Sequence, residues 1–365
     1  MTTYLDHAAS SPMRPEATAA MLPFLGDCFG NPSGAHALAR AARAAIEDAR
    51  DAMAEALGCD AGEVVFTGGG TEADNLAIFG ADDGAVACSA VEHHAVLHAV
   101  EARGGATLGV DAAGRVDVAA LPRDAALVSV MLANNETGVV NDLAAVRAAI
   151  GDGVLLHTDA VAAFCWRDVA REAACADLIS ISAHKFGGPM GVGALVVRDG
   201  VALTPLLRGG GQERERRSGT HNVAGIVGMA AAATVTARTR AEEVARVGAL
   251  RDRLLRGLTS AVPGVVVTAP DAEHTAGTAH VRFAGVESEA LVFALDELGV
   301  CASAGSACAS GALEPSHVLA AMGVEVASAR GALRLSLGWS STDADVDAAL
   351  VAVPKAIENL RARAS

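Results

Sequence analysis

The sequence predicts an α/β fold, a mostly parallel sheet flanked by helices, joined to a smaller α+β domain. Three observations carry this prediction. Between residues 63 and 198 short β-branched runs alternate with alanine-rich helical stretches, the pattern of successive βαβ units. A helical stretch near residues 241–258 then leads into a second group of strands. A length of 365 residues also exceeds what one minimal core organises. We expect a large domain at residues 14–242 and a small domain built from residues 1–13 and 243–365.

In chain order, the large-domain strands are expected at residues 63–67, 85–88, 126–132, 154–158, 178–182 and 193–197, each a short apolar run closed by polar residues. Residues 223–237 are rich in Ala and Gly and shorter than the ~20 residues of a membrane-spanning helix, so they read as a buried helix. The small domain is expected to contain strands at 280–283 and 333–337. No internal repeat or low-complexity linker interrupts the pattern.

Composition narrows the function. Hydrophobic residues make up 52% of the chain but aromatic ones only 3%, so the core must be packed from Ala, Val and Leu. A net charge of -15 repels phosphate backbones and anionic membrane surfaces, which argues against a nucleic-acid or membrane binder. The seven cysteines are scattered, without paired spacing and with no CxxC, so neither a disulfide framework nor a metal site is expected. The N-terminus lacks a basic region followed by an apolar stretch, and a reducing cytoplasm is the expected location.

In parallel sheets ligands bind beyond the carboxyl ends of the strands, so the polar residues that close each run are the ones to inspect. The first group, Gly68-Gly69-Gly70-Thr71, runs from a strand into a helix and has the makings of an anion cradle, although an ordinary helix start capped by Thr71 has the same appearance. The second is Ser182-Ala183-His184-Lys185 before a glycine-rich turn. Lys185 and Lys355 are the only lysines of an arginine-rich chain, and a desolvated amine at such a turn suits a Schiff base with an aldehyde cofactor. A surface lysine is the plain alternative. Asp159 ends the run at 154–158, where it can face the ligand crevice or simply cap a turn. Last comes the small-residue segment from Cys301 to Gly311, with Cys308 near its tip, which reads either as a mobile loop presenting a thiol nucleophile or as an inert one.

These segments in this order resemble the cysteine desulfurases of the NifS/IscS type, which are fold-type I, pyridoxal-phosphate-dependent transferases. Further matches lie at Tyr4-Leu5-Asp6-His7, Phe29-Gly30-Asn31-Pro32, Glu92-His93, Asn134-Asn135-Glu136, Arg217-Ser218-Gly219-Thr220 and Leu313-Glu314-Pro315-Ser316-His317, so the likeness spans nearly the whole chain. The resemblance implies that Lys185 carries pyridoxal phosphate covalently, that Asp159 pairs with its ring nitrogen, and that His93 stacks on the ring as an acid/base. It places the phosphate among Gly70, Thr71, Ser182 and His184, with Thr220 supplied by the second subunit of a homodimer. Asn135 positions cofactor and substrate, Arg334 grips the substrate carboxylate, and Asn31 assists. Cys308 takes sulfur from L-cysteine as a persulfide, leaving L-alanine, and passes it to an acceptor protein serving iron-sulfur assembly or thiolation.

One departure stands out. Similar family members have a glutamine three residues after the aspartate, facing the cofactor's phenolic oxygen, and this chain has Ala162 there. That keeps open a transaminase, an epimerase or a selenocysteine lyase on the same fold; an inactive scaffold protein is a further alternative. The chain ends at Ser365 without the longer tail of some assembly-linked members, which leaves the acceptor open.

Overall fold

The structure, a computed structural model, describes residues 2–305 and 316–364. In chain order the elements are β1 (Thr3–Tyr4), α1 (Pro15–Met21), α2 (Ala37–Leu57), β2 (Val64–Thr67), α3 (Gly70–Gly80), β3 (Val86–Ser89), α4 (His94–Ala102) and β4 (Ala106–Leu108). Then come β5 (Leu127–Ser129), α5 (Leu143–Ile150), β6 (Leu155–Asp159), α6 (Val169–Glu172), β7 (Leu178–Ser182), β8 (Gly193–Val197) and α7 (Val223–Ala261). The remainder are β9 (Val265–Val267), β10 (Thr278–Phe283), α8 (Ser288–Glu297), β11 (Val300–Cys301), α9 (His317–Ala321), α10 (Val326–Ala329), β12 (Ala332–Ser336) and α11 (Asp343–Ala364).

The central sheet has seven strands in the order β2-β8-β7-β6-β5-β3-β4. The pairs β4–β3, β3–β5, β5–β6 and β6–β7 are parallel, and β8 runs antiparallel to both its neighbours. The inner strands β6 and β7 are almost entirely buried, as expected of a sheet covered on both faces. Register sets the later chemistry: Asp159 at the end of β6 lies opposite Ser180 in β7, so the two strands deliver their closing residues to one edge.

The expected strands are present within one to three residues, the widest difference being at residues 126–132, where β5 closes at Ser129. Beyond it the Val130 and Leu132 amides still donate to the carbonyls of His157 and Asp159, so the chain continues alongside β6 without a regular ladder. Four strands, β1, β4, β9 and β11, were absent from the sequence reading. All are short: β1 and β11 have two residues each, β4 sits at the sheet edge with two of its three residues exposed, and none of the three residues of β9 is buried, so none shows a marked apolar alternation. The helices expected at 223–237 and 241–258 are a single 39-residue helix, α7. Nothing between them breaks a helix, since residues 238–242 are Arg, Thr, Arg, Ala and Glu.

That helix joins two cores. Its first half, through Ile226, Met229 and Ala233, packs into the cluster built on the sheet with Phe66, Phe164 and Phe186. Its second half, through Val247, Leu250 and Leu254, packs with Leu5, Phe283, Leu335 and Val353. The second core carries an antiparallel sheet, β12-β10-β9, and the short parallel pair β1–β11 that returns the N-terminus to it. Among the described residues no helix is long and apolar enough to cross a membrane.

Candidate active site

Lys185 closes a single 3-10 turn, Ala183–Lys185, directly after β7. Gly187 follows at φ 83, a left-handed conformation suited to glycine, and any Cβ there would press within 2.6 Å of the Arg14 side chain. The chain can therefore turn sharply and leave the lysine facing back over the sheet edge. Lys185 Nζ donates to the carbonyls of Ala8 (2.5 Å) and Ala9 (2.9 Å). Asp159, at the end of the adjacent strand, is buried and accepts from the Val161 amide at 2.8 Å. Burial raises its pKa to about 6, against the opposing pull of that amide and of the Lys185 charge.

His93 is the N-cap of α4, its Nδ1 accepting from the Ala95 amide at 3.1 Å. With Nδ1 an acceptor, the ring is neutral with the proton on Nε2. Burial, then the Lys185 charge, lowers its pKa to about 4, so it stays neutral at physiological pH. Lys185 thus acts electrostatically on both Asp159 and His93, and the amine, the carboxylate and the imidazole form one group.

An anion cradle adjoins them. The N-cap of α3 is Gly69 at φ 146, with no side-chain cap, which leaves the first-turn amides of an 11-residue helix to an incoming anion. Thr71 lies one residue inside that helix and is exposed, so the alternative in which it caps the helix does not hold. A Cβ on Gly70 would come 2.9 Å from Val161 and 3.3 Å from Ser182, which shows how closely the turn abuts the ends of β6 and β7. Ser182 is buried beside it, and His184 sits one residue before Lys185 with Nδ1 3.4 Å from Ser10 Oγ. Burial and the adjacent Lys185 lower the His184 pKa to about 4.

The opposite wall comes from the N-terminal segment and the small domain. The Ala8 amide donates to Ser336 Oγ, the Ser11 amide to the His184 carbonyl, and Ser11 Oγ to the Lys185 carbonyl. Arg334 on β12 is buried; its Nη1 donates to the Asn135 carbonyl at 2.9 Å, its Nη2 pairs with Asp6 at 2.8 Å, and its Nε has no partner among the described residues. A cavity bounded by Asn135, Ala162, Cys165, Trp166, Lys185 and Ser336 lies between these walls. The Cys165 thiol donates to the Lys185 carbonyl at 3.2 Å, and burial pushes its pKa to about 12, which makes it a poor nucleophile.

Of the residues singled out from sequence, the structure gathers Lys185, Asp159, His93, Ser182, His184, Gly70, Thr71, Asn135 and Arg334 around this sheet edge. Asn31 is exposed, its Oδ1 accepting from the Ser33 amide within its own turn, and Thr220 is exposed beyond Gly219. Cys308 lies outside the described residues. Sequence reasoning missed the Asp6–Arg334 pair, the contacts of Ala8, Ala9 and Ser11, and the cavity-lining Cys165 and Trp166. The only local signal for the first group was the run Asp6-His7-Ala8-Ala9, which names no contact 328 residues away.

Comparison with known proteins agrees with this geometry. Residues 3–349 match the family described as Aminotransferase class-V, which is pyridoxal-phosphate-dependent. An IscS-like cysteine desulfurase of Mycobacterium tuberculosis is 45% identical, the match covering 98% of this chain and 97% of that protein. A solved NifS-like protein from Rickettsia africae superposes with a TM-score of 0.91 at 29% identity, covering 98% of this chain and all of that one. SspA, solved in complex with cysteine, superposes at 0.79 with 32% identity, over 92% of this chain and 99% of that one. With such coverage, and with the lysine, the aspartate and the glycine cradle assembled at one sheet edge, the chain belongs to the class-V aminotransferase family and, within it, to the cysteine desulfurases.

Proposed function

We propose that this chain converts L-cysteine to L-alanine, with the sulfur received on Cys308 and handed to an acceptor protein. The observation that carries the proposal is that Lys185, Asp159 and the open first turn of α3 lie together at the carboxyl edge of β6 and β7. Pyridoxal phosphate fits this set: an amine, a buried carboxylate on the adjacent strand, and uncapped helix amides beside Ser182.

Lys185 would hold the cofactor, Asp159 its ring nitrogen, and Gly70, Thr71, Ser182 and His184 its phosphate, with His93 over the ring. When bound, the cofactor supplies an electron-poor ring that draws electrons from the substrate's α-carbon. The chain's own groups do the rest. The Nε of Arg334, without a partner among the described residues, receives the substrate carboxylate beside Asp6, and Asn135, whose carbonyl already accepts from Arg334, orients both. His93, neutral at rest, presents its Nε2 N–H to the reacting atoms. The Cys308 thiolate attacks the substrate sulfur: an S–S bond forms, the substrate's C–S bond breaks, and its electron pair stays on carbon, where protonation completes alanine.

The large domain at 14–242 and the small domain at 1–13 and 243–365 meet along α7 in this reading. The molecule acts as a cytoplasmic homodimer in which Thr220 reaches the partner's phosphate site, and Asn31 assists substrate binding. The test is to incubate the pure protein with L-cysteine and a reductant while following absorbance, alanine and sulfide. Equal amounts of alanine and sulfide are expected; a keto acid, or cysteine left with its sulfur, overturns the proposal in favour of a transaminase or epimerase. Cys308→Ala should keep the substrate-induced spectral change and stop sulfide release.

A further inference from the structure

Behind Asp159 lies a pair of acids that the sulfur chemistry does not use. Asp74 on α3 and Glu92, ahead of α4, are 1% and 0% exposed, and neither lines the cavity. Glu92 Oε1 accepts from the Met131 amide at 2.6 Å. Glu92 Oε2 and Asp74 Oδ1 have no hydrogen-bond partner among the described residues. Among those residues the one basic group within ion-pair distance of either acid is His157, whose Nε2 lies 3.6 Å from Asp74 Oδ1.

His157 cannot supply the missing charge. Its Nδ1 is 2.8 Å from Ser129 Oγ, its Nε2 is 3.0 Å from Ser180 Oγ, and burial lowers its pKa to about 3. The Ser180 hydroxyl also bonds Asp74. The hydroxyls of Ser129 and Ser180 flank the ring, and the chain Ser129–His157–Ser180–Asp74 is closed by one proton per link in either direction with the imidazole neutral. Both ring nitrogens are then satisfied by hydroxyls, and the ring is neutral.

Among the described residues the other ionisable groups that interact with the pair are Cys88 on β3 and Asp159, with His93 next in sequence to Glu92 and Lys185 acting on Asp159. Burial and the nearby Glu92 push the Cys88 thiol up, so it carries no charge, and His93 is neutral. Lys185 is the lone cation of the group, and its field is felt at Asp159, where the Val161 amide also favours the anion. A buried carboxyl on which no cation acts takes up a proton rather than stay charged, even where, as at Glu92, one backbone amide donates to it. Burial and the proximity of Asp159 raise both Asp74 and Glu92 well above the carboxylate range.

We propose that Asp74 and Glu92 are held as neutral carboxylic acids, which leaves Asp159 the only anion of this buried group. They are positioning residues that act through Asp159. By withholding charge they keep its ionisation within reach of neutral pH; a second anion there would force Asp159 to hold its own proton and lose its grip on a protonated ring nitrogen. The role assigned to Asp159 rests on the pyridoxal-phosphate reading, whereas the protonation states of Asp74 and Glu92 do not.

Infrared spectroscopy of the full-length protein near neutral pH, without cofactor and in H2O and D2O, tests the protonation states directly. Protonated-acid carbonyl bands are expected, one missing in Asp74→Asn and another in Glu92→Gln; loss of a carboxylate band instead overturns the proposal. A second readout is the pH midpoint at which pyridoxal phosphate binding weakens, which reports Asp159. Exchanging a neutral acid for a neutral amide should leave that midpoint within about 0.3 pH unit, whereas a fall of about one unit or more would show that a negative charge had been removed. Should a variant not fold, titration of the native protein decides. Acid bands that persist to about pH 8 support the proposal, and bands that vanish below about pH 7 overturn it. A protein that binds no pyridoxal phosphate refutes the functional reading, and the infrared bands still decide this one.

Discussion

Asp74 and Glu213 are both carboxyl groups buried against the same central sheet, and they occupy opposite charge states. Glu213 is ringed by donors: Arg50 Nη1 and Nη2 at 2.8 and 2.9 Å, the Phe66 amide at 2.9 Å and His221 Nε2 at 2.8 Å. Burial alone would raise its pKa, yet the Arg50 and His221 hydrogen bonds overcome that and draw it down to about 2. Asp74 receives one serine hydroxyl and is driven the other way. Burial sets the cost of a charge, and the number of donors aimed at it decides whether the charge is kept.

The two sites also differ in what they hold in place. Glu213, Arg214 and Glu215 run through the left-handed region at φ 50, 56 and 65, a conformation that costs a non-glycine residue about 1–2 kcal/mol. The ion pair to α2 and the bond to the Phe66 amide of β2 anchor that turn. A charged, fully bonded acid is spent on backbone geometry here, while the uncharged acids near Asp159 shape an electrostatic field.

The largest expected effect falls on the paired site. Glu213→Ala leaves the buried Arg50 with only the half-exposed Glu47 as a counter-charge, and it should lower stability by about 3 kcal/mol in urea unfolding; a loss below about 1 kcal/mol would erase the contrast with Asp74. Acid titration sharpens the comparison. The folded pKa of Glu213, about 2, lies below its ordinary 4.5, so its contribution of about 3 kcal/mol is present above the unfolded pKa and lost as pH falls from about 4.5 towards 2. Asp74 has the opposite sign: its folded pKa is raised, so its contribution is fully present below about pH 4 and is lost as pH rises from there. Unfolding midpoints measured across this range should therefore decline less steeply at low pH in the Glu213 variant, where Glu63 and Asp111 still contribute, and keep the full decline in Asp74→Asn. The smallest effect is expected for Asp74→Asn near neutral pH, where an amide replaces a neutral acid and stability should change by no more than about 1 kcal/mol. A loss comparable to that of Glu213→Ala would mean that the two sites are alike after all.

Much of the large domain was legible in the sequence because its strands are buried on both faces and read as short apolar runs. β7 and β8 were located to the residue for that reason. β4 and β9 were not, since half-exposed edge strands of three residues carry little pattern. Lys185 and Asp159 could be picked out by their place after buried strands, and β6 pairing with β7 in parallel brings them to one edge. Arg334 was legible as a strand residue; its pairing with Asp6 was not, because the ion pair joins residues 328 positions apart.

The amino-acid sequence by itself determined the fold class, the family, and the identities of the amine, carboxylate, imidazole and glycine turn assigned to the proposed pyridoxal-phosphate site. These are local facts, written in hydrophobic period, glycine placement and ordered motifs. Only the tertiary structure decided that residues 6–11 wall the site, that Arg334 already holds Asp6, and that one buried acid is charged while another is not. Protonation depends on how many donors reach a group and how little water does, and both are properties of the packed chain rather than of any stretch of it.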